Sequence, residues 1–358
     1  MDVVQPNGTF AKPMRATFIF PNPRAALMAG IAAGSEPDST LLGANHLAEH
    51  RIEAHVHDPL LSRRDLRPPF DRIAWNLREL TLPFEIGRSD VVFTPLANIL
   101  PLAARARAVP VVVINYGLNL IWRRASPRRR ALLGRSLRTA ARVVCLGESQ
   151  RAELVAEVGL REEHVETLLV PVDATFFSPE ASAPDGSIFS VGKDLARDYG
   201  TLVDAIRGID AEVRLVVHPR NIEGLELPLN TTARRLSSID LRDAYARAAC
   251  VVVPQRSDDY PYGSEGGGLT ALLEAMAMGK PVVATERGIL RDYVDHGVEA
   301  LLVPPEDPAA LREAIERVLG DAELASRLGS AARARVERAH TTHGFADRLA
   351  PVLRTVAR

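Results

Sequence analysis

The sequence predicts an α/β protein built from two doubly wound halves, and three observations carry that prediction. Short β-branched runs alternate with helix-like stretches along the chain, the alternation restarts after a proline-rich stretch, and 358 residues exceed what one hydrophobic core usually serves. In the first half the strand-like runs are 16–20, 52–56, 90–94, 109–115, 142–146 and 167–172, with helix-like segments such as 39–50 and 127–141 between them. Asp38 and Ser39 are placed to cap the first of these helices, which leaves Gly34 and Ser35 on a loop facing the cleft. The second series is 188–191, 212–217, 250–254, 281–285 and 299–303. Between the series lies 176–187, with Pro179, Pro184, Asp185 and Gly186, so the boundary is set near Asp173 and the halves at 1–173 and 174–343. The last stretch, 344–358, reads as an amphipathic helix able to pack on either half.

Composition excludes several classes. Hydrophobic residues at 46% and charged residues at 25% describe an ordinary globular chain, and a net charge of −1 implies no global attraction to nucleic acid or membrane. Cys145 and Cys250 each sit in an apolar run far apart in sequence, which makes neither a metal pattern nor a disulfide framework. With no signal-peptide core and no apolar run near the length of a span, a reducing cytosol is the expected location.

The chemistry concentrates in Tyr262-Gly-Ser-Glu-Gly-Gly-Gly-Leu-Thr-Ala-Leu-Leu-Glu274 and the apolar run after it. Gly266, Gly267 and Gly268 permit close backbone approach, and a helix starting at Leu269 and Thr270, stopped by Gly279 and Pro281, aims free N–H groups at whatever lies over the glycines. That arrangement suits phosphate oxygens. Glu274, about a turn and a half into the helix, is too far to share that site but near enough to accept from sugar hydroxyls; a glycine-rich turn capping a buried helix is the competing reading. Lys193 and Arg197 follow the first strand of the second half directly, on a strand-end loop that reaches the cleft, where a point charge and a guanidinium fork can neutralise a diphosphate. A solvated loop pair remains open there. His218 ends another strand and is read either as a donor contact or as a packing residue.

These residues carry a resemblance. The run 268–284, preceded by Val170-Pro-Val-Asp173-Ala-Thr-Phe-Phe-Ser-Pro179 and Ser190-Val-Gly-Lys193, resembles the retaining GT-B glycosyltransferases of the family-4 (group 1) type. The likeness covers nearly all of the second half and is one of pattern only in the first. It implies two Rossmann-like domains facing a central cleft, a donor-binding carboxyl half, an acceptor-binding amino half, and a last helix that crosses back to the first domain. It further implies sugar transfer from a nucleoside diphosphate sugar, a UDP-sugar being favoured, with retention and with neither metal nor other cofactor. Position by position, Glu274 matches the glutamate that holds the donor ribose, Lys193 and Arg197 the diphosphate cations, and Gly268, Leu269 and Thr270 the phosphate-binding backbone. Residues 236–245 fall where such enzymes read the base.

Two departures stand out. The family's first glutamate lies eight positions before the second, which here is Gly266, while Glu265 lies nine before. Relatives also carry a histidine after the strand that here ends in Asn115, Tyr116 and Gly117, and none is present. Glu265, Asn115 and Tyr116 are therefore the catalytic candidates, with a simple turn at 115–117 as the alternative. The acceptor is not readable. A GT-B sugar-nucleotide epimerase and a non-catalytic nucleotide-sugar-binding protein stay open as other functions. Between Trp122 and Arg142, arginines at 123, 124, 128, 129, 130, 135, 138 and 142, with Leu132, Leu133 and Leu137 as an apolar stripe, suggest either peripheral contact with an anionic inner membrane face or an ordinary surface helix.

Overall fold

Two all-parallel six-stranded sheets form the molecule, seen in a computed structural model that describes residues 12–58, 70–86, 88–179 and 184–357. The strands of the first sheet are β1 (Met14–Ile19), β2 (Ile52–His57), β3 (Val91–Thr94), β4 (Val111–Ile114), β5 (Arg142–Cys145) and β6 (Val165–Thr167). Those of the second are β7 (Ser187–Gly192), β8 (Val213–Val217), β9 (Thr231–Arg234), β10 (Ala248–Val253), β11 (Val282–Thr285) and β12 (Ala300–Val303). The helices are α1 (Ala25–Ala32), α2 (Phe70–Glu85), α3 (Leu100–Arg105), α4 (Leu118–Arg124), α5 (Pro127–Thr139) and α6 (Glu148–Val158), then α7 (Tyr199–Ile206), α8 (Ser238–Arg247), α9 (Leu269–Ala277), α10 (Pro308–Gly320), α11 (Ala322–Ala339) and α12 (Thr342–Val356).

Both sheets are doubly wound, but in different orders. The first runs β2-β1-β3-β4-β5-β6; the second, counted from its β9 edge, runs β9-β8-β7-β10-β11-β12, the 3-2-1-4-5-6 order of dinucleotide-binding folds. Direction reverses between β7 and β10, so the loops after these two strands diverge and leave a crevice at the carboxyl edge. Strands such as β4 and β11 are buried throughout, as parallel strands covered on both faces must be. Cys145 and Cys250 are buried free thiols of β5 and β10.

Several elements differ from the sequence expectation. The 39–50 helix is two 3-10 segments, Asp38–Leu41 and Ala44–His50, broken at left-handed Leu42 and Gly43. The break exists because a Cβ on Gly43 would stand 3.0 Å from the backbone of α12, so chain and helix meet there without a side chain between them. Asp38 caps nothing: its carboxylate takes Asn45 Nδ2 at 2.7 Å and pairs with His46 Nε2 at 2.9 Å. The strand expected at 167–172 is β6, which ends at Thr167, and Val172 instead bridges Thr341. Residues 180–183 of the expected inter-half stretch lie outside the described residues. Asp173 serves the first half, accepting Asp38 N at 3.0 Å and donating its own N–H to Ser39 Oγ at 2.8 Å.

The last helix lies against the first half. Thr341 caps it by accepting Gly344 N, and Phe345, Leu349 and Leu353 enter the core that holds Phe18, Leu47 and Ile52. Burying each of these three side chains contributes about 2 kcal/mol. His50 Nε2 meets Asp347 Oδ1 at 2.9 Å, tying helix to domain at the rim. The same core continues to Phe189 and Tyr245 of the second half.

Candidate active site

β7 ends in Gly192, and the loop after it turns Arg197 back under the strand. A Cβ on Gly192 would stand 2.0 Å from Arg197 Nε, so glycine is required for the guanidinium to pass. Asp194 pairs with Arg197 Nε at 2.9 Å, and its other oxygen accepts Ala196 N at 3.2 Å, which closes the turn. The Arg197 side chain is 3% exposed, and its Nη1 is buried with no hydrogen-bond partner. From the loop after β8, Arg220 Nη2 donates to the Lys193 carbonyl at 2.9 Å and Asn221 Nδ2 to that of Asp194 at 2.8 Å. Lys193 is thereby held at the rim with its side chain exposed and no ion pair among the described residues.

The loop after β10 forms the other wall. Buried Arg287 pairs with Asp258 at 2.9 Å and donates to the carbonyls of Ser264 and Gly267 at 3.4 Å, which fixes the glycine run from behind. Gln255 Oε1 accepts Gly268 N and its Nε2 donates to the Ala196 carbonyl, both at 3.2 Å, so the two walls are joined. Gly268 stands at φ 89° before α9, where a Cβ would meet the Gln255 amide at 2.8 Å. Among the described residues nothing accepts the N–H groups of Thr270 and Ala271, so α9 presents two open donors and its positive dipole end.

Glu274 projects from the second turn of α9. It is 9% exposed, and Tyr245 Oη, itself fully buried, lies 2.9 Å from its Oε2. Burial lifts the Glu274 carboxyl to about 7, against the opposing pull of the Tyr245 hydroxyl and the Arg197 charge. A cation with one free N–H, a helix amino terminus and a carboxylate with one uncommitted oxygen thus share the crevice.

The structure brings Lys193, Arg197, Gly266, Gly267, Gly268, Leu269, Thr270 and Glu274 to this switch point and rearranges the other candidates. His218 does not reach out: its Nδ1 accepts Arg220 N at 3.3 Å and caps the short 3-10 turn Pro219–Asn221. Asn115 is fully buried, its Oδ1 accepting Gly117 N and Leu118 N and its Nδ2 donating to Asn119 Oδ1 at 2.8 Å, so it shapes the turn instead of touching a ligand. Tyr116, 46% exposed at the end of β4, is free to do so. Glu265 crosses to the first half, where Arg123 Nη2 meets its Oε1 at 3.1 Å. Gly34 and Ser35 follow α1, with Ser35 Oγ donating to the Gly30 carbonyl; the next residue, Glu36, accepts from Ser238 Oγ of α8 at 2.6 Å, so this loop does face the second half. Of the segment 236–245, Tyr245 is buried beneath Glu274 and offers no edge to a base.

Sequence reasoning missed Gln255 and Arg287, and the roles of Tyr245 and Arg123. Arg123 was absorbed in the arginine run, which is not one helix: α4 and α5 are separated by Ala125 and Ser126. The expected apolar stripe faces inward, Leu133 and Leu137 being core residues with only Leu132 exposed, so it offers no apolar face to a membrane. No helix among the described residues is long and apolar enough to cross one.

Two family models match, Glycosyltransferase Family 4 over residues 34–176 and Glycosyl transferases group 1 over 226–335, between them most of the chain. The chain belongs to the family-4 glycosyltransferases. Among curated relatives, a D-inositol 3-phosphate glycosyltransferase of Catenulispora acidiphila is 29% identical over 62% of this chain and 60% of its own. One of the same name from Frankia alni is 41% identical over 26% of this chain, and that match spans only 21% of the relative. Solved structures share the GT-B fold. Sucrose-phosphate synthase of Thermosynechococcus elongatus is 20% identical with a TM-score of 0.75, covering 96% of this chain and 99% of its own. HepE of Anabaena, crystallised with UDP and glucose, is 15% identical with a TM-score of 0.71, covering 96% of this chain and 100% of its own.

Proposed function

We infer that this family-4 protein is a retaining transferase that takes a sugar from a nucleoside diphosphate sugar, with UDP as the leaving nucleotide. One observation carries the reading: buried Arg197, with Nη1 unpartnered, and the half-committed Glu274 carboxylate share one crevice with the open amino terminus of α9. A buried polar group left half-satisfied is costly unless a ligand completes it, and a ribosyl diphosphate supplies both complements. Its phosphates accept from Arg197, Lys193, Thr270 N and Ala271 N, and its ribose hydroxyls donate to Glu274. HepE, crystallised with UDP, supports the choice of base.

In the reaction, the bond from the anomeric carbon to the β-phosphate oxygen breaks, and the acceptor oxygen bonds to the same face of that carbon. The acceptor proton passes to the departing diphosphate. The protein's own duty is to hold the acceptor oxygen against the face of the sugar that the diphosphate leaves and to stabilise the charge growing on the diphosphate. With two side-chain cations and a helix dipole on that charge, no metal is needed. Tyr116 and Glu265 border the space over the sugar, and Gly34 and Ser35 border the acceptor side. The protein works in the cytoplasm, where exposed Arg128, Arg129 and Arg135 of α5 allow peripheral contact with anionic lipid.

Incubation with UDP-glucose, UDP-N-acetylglucosamine and GDP-mannose in EDTA, followed by proton NMR, tests this. Slow release of UDP with the α-anomer of the sugar appearing first supports the reading. Release of the β-anomer first contradicts retention, and activity that needs added metal contradicts metal independence. Binding to phosphatidylglycerol vesicles that high salt abolishes supports the lipid contact, and no binding at low salt ends it.

A further inference from the structure

Glu265 is the donor-half carboxylate displaced by one position from the family spacing, and the structure shows where the displacement leads. Its side chain is 13% exposed; Oε1 is held by Arg123 Nη2 of α4 at 3.1 Å, while Oε2 is buried with no hydrogen-bond partner. The orphan oxygen faces Gly117 just beyond β4, where a Cβ would stand 3.9 Å from it and 3.4 Å from Ser264 Cβ, so the missing side chain leaves room beside the carboxylate for about one more atom. Gly117 takes φ 125°, a conformation that a side chain resists.

Arg123 is itself aimed. Asn115 Nδ2 donates to Asn119 Oδ1 at 2.8 Å, Asn119 Nδ2 donates to Glu153 Oε2 at 2.8 Å, and Glu153 Oε1 lies 3.4 Å from Arg123 Nε. Three side chains of the first half, two of them in or before α4, thus set one guanidinium that reaches across to the second half. The neighbouring Arg124 lies over the Tyr262 ring at 4.8 Å, so the loop carrying Glu265 meets α4 at two successive residues. A glycine-flanked loop of this length has little to fix its own carboxylate, and Glu265 makes no other ion pair among the described residues.

We propose that Arg123 is a positioning residue that holds Glu265 so that its free Oε2 accepts a hydroxyl of the transferred sugar, making the sugar site a composite of both halves. The proposal rests on the donor reading above. The nucleoside diphosphate is bound by the second half alone, whereas the sugar is recognised only when α4 is docked on the loop. Sugar recognition and closure of the cleft are then one event, and the relay from Asn115 stands where relatives carry a histidine.

The test compares UDP with UDP-glucose, by calorimetry and by the rate of donor hydrolysis, for wild type, Arg123→Ala, Arg123→Lys, Glu265→Gln, the Arg123→Ala/Glu265→Gln double variant and Arg327→Ala, an exposed residue of α11, as a surface control. Thermal unfolding midpoints verify that each variant is folded. Arg123→Ala is expected to leave UDP affinity within twofold and to lower UDP-glucose hydrolysis at least tenfold, with Arg123→Lys restoring part of the rate. The double variant should be no slower than Glu265→Gln, because Arg123 acts through that carboxylate. Multiplying losses in the double variant, or equal losses of UDP and UDP-glucose affinity in Arg123→Ala, overturn the proposal while leaving the donor site standing. Failure of wild type to bind UDP overturns the donor reading and this proposal with it.

Discussion

Tyr245 Oη stands 2.9 Å from Glu274 Oε2, a buried hydroxyl of α8 holding one oxygen of a buried carboxylate of α9 and leaving the other for the crevice. The pair joins the fold's interior to its chemistry, since Tyr245 also packs edge-on against Phe189 of β7 with centroids 4.9 Å apart.

Because burial raises the Glu274 carboxyl from its ordinary 4.5 to about 7, folding takes up a proton between those values. The stability this contributes is fully present below pH 4.5 and is lost as pH rises through 7, a difference of about 3 kcal/mol. Glu274→Gln should therefore raise the unfolding midpoint at pH 8 and change it little at pH 5. In the same variant nucleotide affinity should fall at both pH values, and the wild-type affinity should fall between pH 8 and pH 6 as the acceptor carboxylate is protonated. Thermal melts and calorimetry at the three pH values check both signs.

Tyr245→Phe removes the only hydroxyl on that carboxylate among the described residues. The cost should be about 1–3 kcal/mol at pH 8, where a buried charge loses its donor, and smaller at pH 5. Urea unfolding at the two pH values measures it; equal losses would mean that the hydroxyl supports packing alone.

Lys193 and Arg197 separate binding from stability. Lys193→Ala removes an exposed point charge and should weaken nucleotide binding about 10- to 100-fold with the unfolding midpoint unchanged. Arg197→Ala should weaken binding as much and also destabilise the fold, because Asp194 loses its partner and the space under Gly192 empties. Titration and melting of the two variants side by side check this.

Much of this was legible in the sequence. The alternation of runs predicted two doubly wound halves, and the glycine run with Glu274 and Lys193 predicted the crevice, because glycine, helix stops and strand-end charges are local signals. What escaped was non-local. Gly43 breaks a helix because α12 passes over it, a contact with a residue some three hundred positions away. β9 is an exposed edge strand, Thr231–Arg234, with no apolar alternation to betray it. Asn115 looked like a ligand contact because its chemistry permits one, and only its burial shows that the turn consumes every bond it can make. The arginine run looked uniform, whereas Arg123 faces a glutamate and Leu133 faces the core.

Gly268→Ala tests the tightest point of the cradle. At φ 89° and 2.8 Å from the Gln255 amide, the new Cβ should cost about 2–3 kcal/mol and reduce nucleotide affinity. Gly34→Ala, at φ 70° with nothing within 4 Å, should cost only about 1 kcal/mol and leave affinity unchanged. Chemical denaturation and titration of the two variants distinguish strain at the site from strain alone.

The most direct measurement is calorimetric titration of the purified protein with UDP, GDP, ADP and dTDP in EDTA, beside Glu274→Gln. Micromolar binding of UDP, weakened at least tenfold in Glu274→Gln, is the predicted result. Binding of none of the four, or binding that ignores the substitution, would contradict a nucleotide site on the Glu274 helix.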